Sequence, residues 1–172
     1  MTNREMIKLL IISDTHKDIE TMEKVLLQHQ DVDAMIHCGD SELDSSYFKQ
    51  ISVHVVRGNC DSDTNYPNEI ITQLNDDIVY VTHGHLHQVK STLMPLSYRA
   101  QEVQASIVCF GHSHLLGAEI NNGILFVNPG SLHKPRGRKE KSYAIVEKLI
   151  NGWSVLFFSS EHKIIEELNF KI

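Results

Sequence analysis

Five short apolar runs in this chain each stop at a carboxylate, amide or imidazole, usually beside a glycine. Lys8 to Ser13 runs into Asp14 and His16, and Ala34 to Cys38 into Gly39-Asp40. Val53 to Val56 leads to Gly58-Asn59, and Ile78 to Thr82 to His83-Gly84-His85. Ile107 to Phe110 leads to Gly111-His112-Ser113-His114. Such brief aliphatic runs read as buried strands. Ligands of open α/β sheets gather at the carboxyl ends of the strands, so five separate loops are expected to converge on one place. The glycines let backbone approach where a side chain would obstruct.

The segments between these runs set the architecture. Asp18 to Gln30 puts Ile19, Met22, Val25, Leu26 and His29 on one helical face, and Ser45 to Gln50 is a shorter, weaker helical piece. Strand, helix, strand, helix, strand is the pattern of a parallel sheet. Thr92 to Gln104 carries Leu93, Leu96, Ala100 and Val103 at helical spacing, with Pro95 in the first turn. Leu116–Ile120 and Ile124–Val127 flank Asn121-Asn122-Gly123, and Tyr143–Glu147 and Ser154–Phe158 flank Asn151-Gly152. Both read as hairpins. Lys163 to Ile172 fits either a helix or a final edge strand. The expected fold is α/β, one domain over residues 1–172, with two packed mixed sheets flanked by helices.

Composition excludes several classes of partner. The 172 residues suit one sizeable core. A net charge of -6 argues against broad electrostatic binding to nucleic acid or acidic lipid. No apolar run approaches the ~20 residues of a spanning helix. No charged segment followed by an apolar one opens the chain, so the cytoplasm is the expected location. The three cysteines form no C-x-x-C pair, and Cys38 and Cys109 read as reduced, buried thiols.

Two aspartates, one asparagine and four histidines at the strand ends offer hard oxygen and borderline nitrogen donors without thiolate. That set suits manganese, iron, nickel, cobalt or zinc rather than a cysteine-bound structural zinc. D-x-H and H-x-H bring alternate side chains near one another, so each motif can give one ligand to each of two neighbouring ions, with an aspartate bridging. Two metals ~3.5–4 Å apart clamp the attacking and leaving oxygens of a phosphoryl displacement. Each motif alone is weak, since short D-x-H strings are mostly solvated loop and G-D and G-N are turns. Their joint occurrence in this order, each after a buried strand, carries the metal reading.

The order D-x-H, G-D, G-N-x-D, H-G and G-H-x-H resembles the calcineurin-like metallophosphoesterases from Ile7 to about Arg138. Gly58-Asn59-Cys60-Asp61 and Asn128-Pro129-Gly130-Ser131 resemble that family's compact bacterial and archaeal phosphodiesterase branch. The resemblance implies that Asp14, His16 and His114 hold one metal, that Asn59, His83 and His112 hold the second, and that Asp40 bridges them. Asp40 and Asn59 are thereby implied in catalysis. His85 is read as a further catalytic group that orients His83 or touches phosphate. Asp61 is expected to support Asn59 or His16, and Arg57 and Arg136 are candidates for substrate contact. Lys134, Arg136, Arg138, Lys139 and Lys141 form a basic run beside the site. Cys60 stands where many relatives have a histidine taken to assist the leaving group, and a neutral thiol is a poor proton donor.

The expected activity is hydrolysis of a small phosphodiester by a water activated between two divalent ions, manganese foremost, with nickel, zinc, iron or cobalt as alternatives. Self-association is left open. A phosphomonoesterase on the same site is one rival. A non-catalytic scaffold like the retromer subunit of this fold is another; that subunit has lost metal-site residues, whereas all seven ligand types are kept here.

Overall fold

A computed structural model describes residues 6–172 and contains two sheets. The first has the order β11 (Ile164–Lys171), β10 (Gly152–Ser159), β9 (Ser142–Leu149), β1 (Lys8–Ile12), β2 (Ala34–His37), β3 (Val53–Val55). The second runs β4 (Glu69–Leu74), β5 (Asp77–Thr82), β6 (Ile107–Cys109), β8 (Ile124–Asn128), β7 (Gly117–Asn121). Both are mixed. β1, β2 and β3 are mutually parallel, as are β5, β6 and β8, while the outer strands pair antiparallel.

Strand alternation builds three apolar layers. Leu9 and Ile11 of β1 point into the space between the sheets, with Ile36, Val79, Val81, Ile107 and Leu125. Leu10 and Ile12 point the other way, onto Met22, Val25 and Leu26 of α1 (Ile19–Gln28) and Phe48 of α2 (Ser45–Phe48). On the far side, Tyr80, Val108 and Phe126 pack against Leu96 and Ala100 of α3 (Met94–Glu102). Because both faces of β1, β5, β6 and β8 are covered, their central residues are apolar without interruption.

The structure adds one strand to the sequence reading and resolves one open choice. β4 was not anticipated. It is an edge strand that alternates partly buried and exposed residues, so its only apolar cluster is Ile70-Ile71. The open choice at the carboxyl end resolves as strand, with β11 paired to β10 along the rim of the first sheet. The Asn122-Gly123 turn has φ of 50° and 76°, the left-handed pair that a two-residue hairpin loop needs.

Candidate metal centre

Asp14 is buried, and its two carboxylate oxygens have different surroundings. Oδ2 accepts from Ser13 Oγ at 2.6 Å and from the His112 amide at 3.1 Å. Oδ1 is buried and makes no hydrogen bond, although His114 Nε2 lies 3.0 Å away. A buried carboxylate oxygen without a donor costs free energy unless a cation meets it.

Three histidines turn the same atom toward this point. His83 Nδ1 sits 2.7 Å from the Cys38 carbonyl, His114 Nδ1 2.7 Å from the Lys134 carbonyl, and His16 Nδ1 2.6 Å from Glu42 Oε1. Carbonyls and carboxylates only accept, so each Nδ1 carries the proton and donates it. Every Nε2 then presents its lone pair inward when the ring is neutral. His16 Nε2 and His114 Nε2 face each other at 3.4 Å, and His83 Nε2 stands 3.2 Å from Asp40 Oδ2 and 3.1 Å from Asn59 Oδ1. Lone pairs and carboxylates converging without donors between them are the donor set of a divalent cation, with the outer acceptors that orient metal-bound imidazoles.

The candidate ligands fall into two groups. Donor atoms of Asp14, His16 and His114 lie within 4.8 Å of one another, as do those of Asp40, His83 and His112. A third set, His16, Asp40 and Cys60, overlaps both. Burial pushes the Asp14 carboxyl up, but His114 and His83 outweigh it and hold Asp14 below its ordinary value. Asp40 is held low in the same way, chiefly by His83. His114 is raised by its contact with Asp14, and His83 is raised by Asp40 and Asp14 against the pull of burial. His112 is pulled down to about 4 by burial and by the nearby His83.

The loops that carry these groups are held in unusual conformations. Asp14, His16, Asp40, His112 and His114 have φ of 53°, 41°, 57°, 69° and 61°, left-handed values that cost a non-glycine residue about 1 kcal/mol each. Backbone bonds tie Asp14 N to the Gly39 carbonyl, His16 N to the Asp40 carbonyl and Gly111 N to the His83 carbonyl. Glycine is required twice for close approach: a Cβ on Gly58 would collide with the Asp40 carboxylate, and one on Gly111 with Ser13 Oγ. Asn128 binds the Gly111 carbonyl and Ser113, while Ser131 Oγ donates to the Asp14 carbonyl.

The remaining candidates divide. Asp61, expected to support Asn59 or His16, acts through the backbone. Its carboxylate accepts from the backbone amides of Asp40, Glu42 and Gly58, at 2.9, 2.7 and 2.7 Å, because the loop folds back on itself. His85 packs 5.3 Å from His83, ring to ring, and does not orient it; the Cys38 carbonyl already holds His83 Nδ1. Arg57 donates to the Asp61 carbonyl. Of the basic run, Lys134 and Arg136 line the cleft, Lys141 pairs with Asp18, and Arg138 approaches Glu166. The cleft, of about 480 Å³, is open above His16, Asp40, Asn59, His112 and His114. Cys60 lies at its mouth, where burial of the thiol and the Asp40 carboxylate push it up to about 11.

Sequence reasoning missed two residues. Glu42, which fixes His16, lies two residues after Asp40 in Gly39-Asp40-Ser41-Glu42, and that spacing was the available signal. Lys90 lines the cleft from the loop after β5 and carried no motif.

Two packed mixed sheets with a carboxylate–imidazole cluster at the carboxyl ends of their parallel strands define a metallophosphoesterase. The chain belongs to the calcineurin-like phosphoesterase superfamily, whose domain model matches residues 7–149. It is 41% identical over 165 residues to the probable metallophosphoesterase YsnB of Bacillus subtilis (strain 168), covering 95% of this chain and 98% of that protein. It is 28% identical over 169 residues to the phosphodiesterase YfcE of Escherichia coli (strain K12), with 83% and 88% covered. Among solved structures, a conserved uncharacterized protein (predicted phosphoesterase) from Streptococcus pneumoniae TIGR4 superimposes with a TM-score of 0.91 at 35% identity, covering 97% of this chain and 98% of that one. Proteins of this superfamily use divalent metal ions, and the donor set here fits them. Among the described residues no helix is long and apolar enough to cross a membrane.

Proposed function

We propose that this protein is a phosphodiesterase using two divalent ions, one held by Asp14, His16 and His114, the other by Asn59, His83 and His112, with Asp40 shared. The carrying observation is Asp14 Oδ1, a buried anionic oxygen without a donor, facing imidazoles whose Nδ1 atoms are already engaged. When bound, the ions supply Lewis acidity at the phosphoryl oxygens and bring a water's pKa toward ~7. Manganese is the ion proposed here, with nickel, zinc, iron and cobalt also compatible with the donor set.

The chain's own residues do the rest. Glu42 and the Cys38 and Lys134 carbonyls fix the rings of His16, His83 and His114. Lys90, Lys134 and Arg136 surround the cleft mouth and attract a phosphate to a centre that otherwise carries carboxylates. His85, whose ring packs against His83 and His112, and Arg57 are the further candidates for phosphate contact.

The preference for diesters rests on the similarity to a named phosphodiesterase and on Cys60. A thiol pushed up to about 11 stays neutral, and replaces the imidazole proton donor that a poor leaving group needs. A phosphomonoesterase reading is weakened by the same residue, and a scaffold reading by the retention of every ligand type. The test is a panel of mono- and diesters with matched leaving groups, assayed after chelation and single-metal add-back. Diester turnover restored by metal is expected. Turnover that survives chelation, or restored activity confined to monoesters, would overturn the assignment.

A further inference from the structure

The outer face of the second sheet is not fully covered. Leu116, Ala118 and Ile120 pack inward, so Gly117 and Glu119 of the edge strand β7 face outward. A pocket of about 540 Å³ lies there, walled by Val89, Leu93, Phe110, Leu115 and Phe126 with Glu119 at its rim. A Cβ placed on Gly117 meets nothing within 4 Å, so the strand itself leaves this space open. Lys90 and Arg136 line both this pocket and the metal cleft, so the two adjoin at a shared cationic pair. Neither cation is in a salt bridge among the described residues, and neither is Glu119.

We propose that this pocket seats an aromatic arm of the phosphoester whose phosphate lies at the metal centre. The inference rests on the reading of that centre given above. The order of chemistry along the groove matches such a molecule: metal donors, then two free cations for phosphate charge, then apolar walls, then one carboxylate. Apolar walls with a few placed polar groups are the usual make-up of a small-molecule site. Glu119 sets the sign of the far end. It repels an arm that ends in a second anion and accepts from one that carries an amino group. The substrate class is therefore a phosphoester with one neutral or amino-bearing aromatic arm, with Gly117 and Glu119 as specificity-determining positions.

The test is equilibrium binding to the metal-loaded protein, which needs no turnover. Methylphosphonate and naphthylmethylphosphonate share the anchoring group and differ in the arm. The aromatic ligand is expected to bind about tenfold tighter or more. In Gly117→Phe, whose side chain fills the pocket, that ratio should fall toward one. A naphthylmethylphosphonate bearing a carboxylate on the distal ring should bind more weakly than the neutral one, and Glu119→Lys, an exposed change, should reverse their order. No preference for the aromatic arm in the unaltered protein overturns the proposal, as does a preference that survives Gly117→Phe or an order unmoved by Glu119→Lys. Loss of binding by both ligands, with no diester hydrolysed, would instead defeat the reading of the metal centre.

Discussion

Glu42 Oε1 lies 2.6 Å from His16 Nδ1, and this contact spans two loops that leave different strands. The carboxylate fixes the ring's tautomer and direction. Glu42→Ala is expected to weaken the metal held by Asp14, His16 and His114 by ~10–100-fold, and Glu42→Gln, which keeps an acceptor, by less. Metal titration of the chelated protein measures both. Equal affinities for all three proteins would show that the contact does not position His16.

Asp40 stands between the two donor groups, 3.2 Å from His83 Nε2 and within reach of His16. An amide offers no charge to hold two dications together. Asp40→Asn should lower diester turnover by at least ~100-fold, with metal content below that of the unaltered chain. Rate and metal content are to be measured on the same preparation. Near-normal values of both would remove Asp40 from the bridging position.

Cys60 separates leaving groups. An activated phenol departs without protonation, whereas an aliphatic alkoxide benefits from a proton donor. Cys60→Ala should change the activated-diester rate less than about threefold. Cys60→His should raise kcat/KM on poor leaving groups relative to activated ones, each tenfold change in that ratio being ~1.4 kcal/mol. A large loss in Cys60→Ala with metal content intact would make the thiol catalytic.

His37 couples the floor of the site to pH. Gly39 N–H donates to its Nδ1 and its Nε2–H donates to Thr15, so the buried ring is neutral, and burial pulls it down to about 4 from 6.5. The unfolded chain takes up a proton below pH 6.5 and the folded one does not. Stability from this group is therefore full above pH 6.5 and is lost as pH falls toward 4, at ~1.4 kcal/mol per pH unit and about 3 kcal/mol in all. Urea denaturation of the chelated protein at several pH values, compared with His37→Gln, isolates the effect as a difference in slope near one proton. Parallel slopes would exclude it.

Much of this arrangement is written in single residues. The interior strands β1, β2, β5 and β6 are apolar on both faces and end in ligand types, so their existence and the convergence of their loops were legible. β4 was not, because an edge strand with one solvated face needs few apolar residues and Ile70-Ile71 is too short a signal. β11 stayed open between two states because Ile164, Ile165 and Leu168 satisfy either period, and only pairing with β10 decides. Asp61 was placed near the site by its motif, but its partners are backbone amides, which sequence does not display. Glu42 and Lys90 act across loops distant in the chain; the place of Glu42 two residues after Asp40 is a local cue, whereas Lys90 has none.

The left-handed turns at Asp14, His16, Asp40, His112 and His114 are tied by contacts with Gly39, Ser131, Asp61 and their neighbours. Folding therefore bears part of the cost of shaping the ligands. A vessel formed in advance from oxygen and imidazole donors selects weakly among first-row dications, whose affinities rise in the general order from manganese toward copper whatever the protein. The metal found in this protein would then report the supply in its cell more than the preference of its ligands.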